Sequence, residues 1–488
     1  MSNRLAAHNS IPLFITRFSN TVNLSLSIVF CLLVCLSSGQ TTSVQSSKSR
    51  CQLTEPVAMG ANDVEGLKAY ASFIADLLTK RDFDDLDCIA HEARMNKTRL
   101  PGGTWKLVVI YMALESPQGH ATEEDWAGHL ADLDGWMAAK PDSITARIAL
   151  ANSYVSYAWD ARGDGSSETV TGSGWNLFEE RLRKAKNLLD TANALPEKCP
   201  EWYLVMQNIG QGQSWDLKKQ AALLQEAIAF EPEYYSYYRV QAILLLPKWY
   251  GREGDTSAFA TESADRVGGK KGDVLYFQIA AKLVCRCDEP EFNRMSWERI
   301  QKGFAAVEET YGASAINLNS FALMALKFND FVIADSAFNR IGDQWDEGTW
   351  KTRQYFEANR KDAATIAPMQ ARTQATMREA NENALSPGGA EYRKAVEEKF
   401  APFVQQCLQE AGADQQKFEF MLLVNREGTP ENAFAAQPQG IWGCLTKELM
   451  TAQIKKERPF PPPPHPSYWV KLEVDPVASK LATPIAGK

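Results

Sequence analysis

Two potential metal ligands, a cysteine and a histidine, lie close together in the sequence. Cys88 and His91 are three residues apart, with Asp87 and Glu92 beside them, so on a helix they share one face. A zinc site needs four protein ligands, or three ligands and a water molecule. No second cysteine and histidine cluster supplies the missing ligands. We therefore interpret Cys88 as a core cysteine and His91 as a surface residue, and we expect no metal or other cofactor.

Carboxylates cluster in the same segment, at Asp84, Asp85 and Asp87. Paired carboxylates act as acid and base in glycosidases, but an acidic helix face is usually only solvated. The motifs of zinc proteases, serine hydrolases, phosphate loops and dinucleotide sites are absent from the sequence. Gly102-Gly103 is expected to form a turn between helices, not a phosphate cradle. We expect a non-enzymatic protein; the alternative is a hydrolase or carbohydrate-active enzyme with carboxylates in a groove.

Aromatic and arginine side chains supply the best candidates for a binding surface, because tyrosine, tryptophan and arginine are the usual energetic anchors of interfaces. The candidate partner-binding residues are Trp159, Arg162, Tyr235, Tyr238, Trp249 and Tyr250. The first two precede a loop rich in glycine and serine, residues 163–174, and the others follow in later helical segments. Packing in the core is the alternative for any one of these rings.

The first 39 residues have the pattern of a secretory signal peptide. Arg4 and Arg17 precede an apolar run of 13 residues, Leu24 to Leu36, and small residues permit cleavage after Gly39. About 20 apolar residues are needed to cross a bilayer, so a retained N-terminal membrane anchor is the alternative. We therefore expect a periplasmic or secreted bacterial protein, without a stable membrane span once the leader is cleaved.

Cleavage of the leader changes the cysteine count from nine to seven. The remaining cysteines are Cys51, Cys88, Cys199, Cys285, Cys287, Cys407 and Cys444. An odd number leaves at least one thiol free or paired between chains. Because Cys285 and Cys287 lack the spacing of redox and zinc motifs, free thiols and a disulfide from one of them to another cysteine both stay open.

Composition limits the class of partner. Apolar residues make up 45% of the chain and charged residues 23%, the balance of a soluble globular protein. The net charge of −8 and the pI near 5.4 argue against nucleic acid, since binding to phosphates requires a basic surface. An envelope protein or peptide is the partner we expect.

Helical periodicity dominates the chain from about residue 66 to residue 360. In the segment 122–140, Thr122 and Asp125 form a capping box pattern. Apolar residues recur there at helical spacing, at Trp126, Leu130, Leu133 and Trp136. Later segments repeat two helices followed by proline, first at Pro196 and then at Pro232, with further rounds at about 235–267 and from 297 onward. This pattern predicts a tetratricopeptide-like α-solenoid.

Beyond residue 391 the periodicity changes to α-β-β-α-β. The predicted elements after the first helix are a strand over 418–424, a turn over 425–428, a second strand, a helix over 441–454, a proline-rich segment over 459–466 and a strand over 468–474. The chain is thus mainly α, with a small α+β module at its end. The predicted organisation is a signal peptide (1–39), a flexible tether (40–62), a helical-repeat domain (63–360), a linker (361–391), the α+β module (392–476) and a flexible tail (477–488).

Two family resemblances follow from these segments. The phrases LDCIAHEARMNKTRLPGGTWKL (86–107), AWDARGDG (158–165), CPEWY (199–203), EAIAFEPEYYSYY (226–238) and LLPKWYGREGD (245–255) resemble an uncharacterised bacterial family of exported helical-repeat proteins, a domain of unknown function. That resemblance covers about residues 86–350. It implies an architecture and no activity.

The C-terminal segment resembles the TonB C-terminal module. The resemblance is based on the strand-turn-strand around 425–428, the helix IWGCLTKELM (441–450) and the ending FPPPPHPSYWVKLEV (460–474). It implies a disulfide between Cys407 and Cys444 and protein-protein contact through strand 467–474 at a sheet edge. Together the resemblances lead us to expect an exported scaffold protein of the cell envelope that binds partners through its repeats and through this module.

Overall fold

Polar side chains that cap helix ends determine where several helices begin. The Asp125 N–H donates a hydrogen bond to Thr122 Oγ1 at 3.2 Å, and the Thr122 N–H donates to the Asp125 carboxylate at 2.7 Å. This capping box begins the helix Glu123–Ala139, whose buried residues are Trp126, Leu130, Leu133 and Trp136. The prediction for this helix is confirmed. Single side-chain caps begin seven later helices, at Ser143, Thr171, Asp216, Ser296, Ser314, Asp330 and Asp346.

The computed structural model describes residues 51, 55, 64–119, 121–163, 165–284, 289–411, 417–435 and 441–475. The predicted signal peptide and tail lie outside these residues, as do Cys285 and Cys287 and all of the predicted tether except residues 51 and 55. Within the described ranges, no helix is long and apolar enough to cross a membrane.

Contacts divide the chain into two compact units between Arg360 and Lys361. The helices of the first unit are α1 (Val64–Thr79), α2 (Phe83–Met95), α3 (Lys106–Ala113), α4 (Glu123–Ala139), α5 (Ile144–Arg162), α6 (Gly172–Ala192), α7 (Glu201–Gly212), α8 (Leu217–Phe230), α9 (Ser236–Leu244), α10 (Asp255–Val267), α11 (Gly269–Val284), α12 (Glu289–Phe292), α13 (Trp297–Tyr311), α14 (Ala315–Lys327), α15 (Phe331–Ile341) and α16 (Glu347–Trp350). The chain is mainly helical, as predicted.

Helices from α5 onward pack in consecutive pairs. The paired helices are α5 with α6, α7 with α8, α9 with α10, α11 with α13, and α14 with α15. The first helix of each pair also contacts the first helix of the next pair, in the series α5, α7, α9, α11 and α14. Our predicted rounds place no helix at 268–296, where the structure has α11. This helix is buried on nearly every side from Gly272 to Ala280, so no single apolar stripe marks it in the sequence.

The turn predicted at Gly102-Gly103 joins α2 to α3 and contacts distant parts of the same unit. Arg99 and Trp105 form an antiparallel bridge at its base. The Trp105 indole N–H donates to the Glu233 carbonyl at 3.0 Å, and the Gly102 N–H donates to the Gly312 carbonyl at 2.8 Å. The turn therefore fastens the N-terminal helices to the segments that precede α9 and α14.

The two described residues of the predicted tether are fixed to the first helices. Cys51 forms a disulfide with Cys88 of α2, with a Cα–Cα distance of 5.8 Å. Glu55 forms an ion pair with Lys106 at the start of α3. Residues 51 and 55 are therefore held in place by covalent and ionic contacts.

The second unit combines helices with a small antiparallel sheet. Its elements are the part of α17 (Arg353–Leu385) beyond Arg360, α18 (Gly389–Ala411), β1 (Phe418–Asn425), β2 (Pro430–Phe434), α19 (Trp442–Ile454) and β3 (Ser467–Val474). From α18 onward the order is the predicted α-β-β-α-β. The strands lie in the order β2-β1-β3. One face of β1 and β3 packs with α18 and α19 around a shared apolar core that includes Phe400, Phe420, Leu445 and Val470.

The β1–β2 turn forms at the predicted Asn425–Gly428. The Asn425 side-chain oxygen accepts hydrogen bonds from the backbone N–H groups of Glu427 and Thr429, both at 3.0 Å. Gly428 has a φ of +85°, a left-handed conformation that glycine adopts at little cost. The asparagine and glycine therefore specify this turn locally.

A disulfide fastens α18 to α19, between Cys407 and Cys444, with a Cα–Cα distance of 5.6 Å. This is the pair that the TonB resemblance implies.

Both disulfides span 37 residues, so closing either loop restricts the unfolded chain to the same extent. We expect Cys407→Ala to lower the free energy of unfolding of the second unit by about 4 kcal/mol. Cys88→Ala is the matched variant, which opens a loop of the same length in the first unit. Denaturant unfolding measures the loss of stability for both variants. An equal midpoint for Cys407→Ala and wild type would contradict the expectation.

Candidate partner-binding site

Four of the six predicted interface residues come together at the C-terminal ends of helices in the first unit. Trp159 and Arg162 lie in the last turns of α5, and Trp249 and Tyr250 lie in the loop between α9 and α10. The ring centres of Trp159 and Trp249 are 6.2 Å apart, with their planes at 90°. Edge-to-face contact of this kind is a favourable arrangement for aromatic rings.

Trp175, at the start of α6, joins these residues. The centre of the Arg162 guanidinium lies 5.6 Å from the Trp159 ring centre and 5.7 Å from that of Trp175. Both distances allow cation–π attraction. We name Trp159, Arg162, Trp175, Trp249 and Tyr250 the tryptophan cluster. All five side chains are half-buried, so each packs on one side and is open to solvent on another.

Backbone contacts hold the cluster in position. Gly163 ends α5 with a φ of +71°, and the Arg162 guanidinium donates to the carbonyls of Gly163 and Gly165, both at 3.0 Å. The Tyr250 hydroxyl donates to the Gln211 carbonyl at the end of α7 at 2.6 Å. Because these contacts order the side chains before any partner binds, association would cost less conformational entropy.

Tyr235 and Tyr238 lie elsewhere and contribute to packing. Their side chains are 5% and 3% exposed, with ring centres 6.1 Å apart. The Tyr235 hydroxyl donates to the Lys271 carbonyl at 3.3 Å. So little of either ring reaches the surface that we leave both out of the candidate site. The core-packing alternative describes these two rings.

The residues first considered as metal ligands or catalysts have structural contacts. Cys88 is bonded to Cys51; both sulfurs lie near Glu92, but disulfide sulfurs are not the thiolates that bind metals. His91 Nδ1 lies 2.8 Å from Glu197. The three aspartates include two that tie α2 to the segment before α5: Asp84 forms an ion pair with Lys140, and Asp87 accepts a hydrogen bond from Ser143.

Sequence reasoning missed two carboxyl groups inside the helical unit. Burial raises the pKa of Glu201, at the start of α7, to about 8, although the Tyr234 hydroxyl donates a hydrogen bond to it. Burial also raises the pKa of Glu115 to about 7, opposed by the charge of Lys282. Glu201 is 3% exposed, which leaves a substrate no access to it. The alternative function, a hydrolase or carbohydrate-active enzyme with carboxylates in a groove, stays a prediction. No local motif marks either residue, because the shift comes from their tertiary surroundings.

A free cysteine lies near Glu201. Cys199 is buried, and its sulfur is 3.4 Å from the Tyr111 hydroxyl. Burial raises the pKa of the thiol. It is the one free cysteine among the described residues.

Strand β3 forms one edge of the sheet in the second unit. The Asn383 amide, near the end of α17, donates to the Trp469 carbonyl at 3.0 Å, and the Tyr468 hydroxyl donates to the Asn383 carbonyl at 2.7 Å. Part of the predicted linker is therefore bonded to β3, and one carbonyl of the strand already has a partner.

No family model, no curated protein and no solved structure shows a significant similarity to this chain. The resemblances to a bacterial family of helical-repeat proteins and to the TonB C-terminal module therefore stay predictions.

Proposed function

We propose that this protein is an exported scaffold of the bacterial cell envelope that binds a protein or peptide partner through its helical unit. The pairwise packing of α5 to α15, in which each first helix contacts the next, supports a tetratricopeptide-like solenoid. Solenoids of this type present extended binding surfaces built from successive repeats. The two disulfides support an oxidising compartment outside the cytoplasm, which agrees with the predicted leader.

The tryptophan cluster carries the proposal. It gathers three tryptophans, a tyrosine and an arginine from segments that are far apart in sequence, and all five stay half-buried. These residue types dominate the energetics of protein interfaces when partners bury them. Trp126 and Trp136, in the same unit, are by contrast covered almost completely.

Crosslinking in intact cells, followed by mass spectrometry, would identify the partner, and calorimetry with the purified proteins would test the site. We expect Trp249→Ala to weaken binding at least about tenfold, the size of an interface hot spot. Trp249→Phe should recover most of the affinity, because it restores an aromatic ring.

Trp215→Ala is the matched control. Trp215 is also a half-buried tryptophan of this unit, but its ring contacts the Lys219 ammonium 3.2 Å away and it lies outside the cluster. Equal losses for Trp249→Ala and Trp215→Ala would overturn the assignment of the site.

We further propose that the second unit is a TonB-like module that docks a second component. Its support is the three-stranded order, in which β3 is an edge and, among the described residues, only the Trp469 carbonyl is bonded to Asn383, since the other groups of an edge strand can pair with a strand from a partner. In the same crosslinking experiment, deletion of residues 393–476 should change the set of partners recovered. An unchanged set would count against a docking role.

A further inference from the structure

The segment between α19 and β3 presents a run of prolines to solvent. Its sequence is Arg458-Pro-Phe-Pro-Pro-Pro-Pro-His-Pro466. Pro462, Pro464, His465 and Pro466 are exposed, whereas Phe460 is 3% exposed. Three of the six prolines in this segment are thus open to solvent.

Covalent geometry limits the backbone conformations open to this run. Each proline ring fixes φ near −65°, and the residue before a proline is pushed toward extended backbone. Residues 457–463 form neither helix nor strand with the rest of the unit, and the backbone bends at residue 460 and again over 464–466. The four consecutive prolines, residues 461–464, therefore favour little more than one turn of polyproline II helix, which has three residues per turn.

The core of the second unit holds both ends of the run. The Phe460 ring packs near Phe400 and Phe403, and its N–H donates to the Gly428 carbonyl at 3.2 Å. The Tyr392 hydroxyl donates to the Pro461 carbonyl at 3.0 Å. At the other end, the His465 ring stacks on the buried Tyr468, with centres 6.1 Å apart. The run is thus ordered in advance, which lowers the entropy lost on binding.

Basic side chains precede the prolines. Lys455, Lys456 and Arg458 are exposed, and the single acid among them is Glu457. Arg458 also lies 3.1 Å from Glu427. Pro461 and Pro464 are three residues apart, the length of one turn of a polyproline II helix. Aromatic-lined grooves recognise such helices by their spaced prolines.

We infer that residues 458–466 are a docking peptide for a partner protein that has an aromatic-lined groove with an acidic rim. The groove would pack against the exposed prolines, and the rim would attract the basic residues that precede them. This inference concerns the second unit and is independent of the tryptophan cluster.

An isolated SH3 domain with an acidic groove rim is a suitable probe of that chemistry. We expect the mature full-length chain to bind it, as measured by chemical-shift changes of the groove's aromatic residues. Replacing two of the exposed prolines, with Pro462→Ala and Pro464→Ala, should weaken binding about tenfold or more. Neutralising the acidic rim of the probe should weaken binding of the wild-type chain, and added salt should reduce that difference.

Pro387→Ala is the matched control, because Pro387 is an exposed proline of the same unit outside the run; it should leave binding unchanged. Thermal unfolding shows whether each variant keeps its fold. A synthetic peptide of residues 458–467 shows whether this sequence binds the probe when the rest of the chain does not restrict access to it. Binding of the free peptide but not of the intact chain would overturn the inference, and so would equal binding by wild type and the double proline variant.

Discussion

Replacing Gly103 with alanine is expected to lower the free energy of unfolding of the helical unit by about 3–4 kcal/mol. Gly103 has a φ of +80°, which disfavours any side chain, and a methyl group there would press against the Tyr311 ring and the Gln278 amide. Both contacts lie where the turn between α2 and α3 meets the later helices. Guanidinium unfolding followed by far-ultraviolet circular dichroism measures the change.

Gly254→Ala separates the two causes. Gly254 has nearly the same φ, +85°, but no atom lies within 4 Å of the added methyl group. It should therefore show only the backbone cost, about 1–2 kcal/mol. If Gly103→Ala and Gly254→Ala were equally destabilising, the packing of the turn against α11 and α13 would contribute nothing, contrary to the structure.

Replacing Glu201 with glutamine is expected to flatten the pH dependence of stability between about pH 4.5 and pH 8. The pKa of this carboxyl is raised from 4.5 to about 8 in the folded protein. The folded state therefore retains a proton that the unfolded chain releases over this range. The stabilisation of the folded state by this bound proton is complete below pH 4.5, falls as the pH rises, and is lost above about pH 8. Above pH 8, the free energy of unfolding of Glu201→Gln should exceed that of wild type by on the order of 5 kcal/mol.

Denaturant unfolding at pH 5 and at pH 8.5 measures this effect for both proteins. Glutamine keeps an acceptor for the Tyr234 hydroxyl, so the fold should persist. Glu226→Gln, at an exposed position of α8, is the matched control and should follow the wild-type curve. Parallel curves for wild type and Glu201→Gln would show that the carboxyl is not protonated by burial.

The fold was predictable where sequence patterns are local. The capping box and the apolar stripe specify α4, and Asn425 with Gly428 specifies the β1–β2 turn. The alternation of apolar and polar residues over 468–474 predicted strand β3. The pattern failed for α11, which other helices surround, because a helix buried on every side has no polar face to contrast with its apolar one. The contacts of the Gly102-Gly103 turn were equally hidden, since they join residues that are more than 100 positions apart.

The candidate site was predictable in part. Residue type selected Trp159, Arg162, Trp249 and Tyr250, which the structure brings together. The same criterion selected Tyr235 and Tyr238, which are buried, because residue type alone does not distinguish an interface ring from a core ring. It also omitted Trp175, which approaches the cluster only because α6 returns alongside α5. The raised pKa of Glu201 depends on surroundings supplied by several helices, and no spacing in the sequence encodes it.

The isolated position of Cys199 has a consequence for the chemistry of this protein in an oxidising compartment. Exchange between thiols and disulfides requires a thiolate that can reach a sulfur atom of the bridge. The buried side chain at Cys199 resists deprotonation and is closed off from solvent. Cys199 can therefore stay reduced in the folded protein without exchanging with the Cys51–Cys88 or Cys407–Cys444 disulfide.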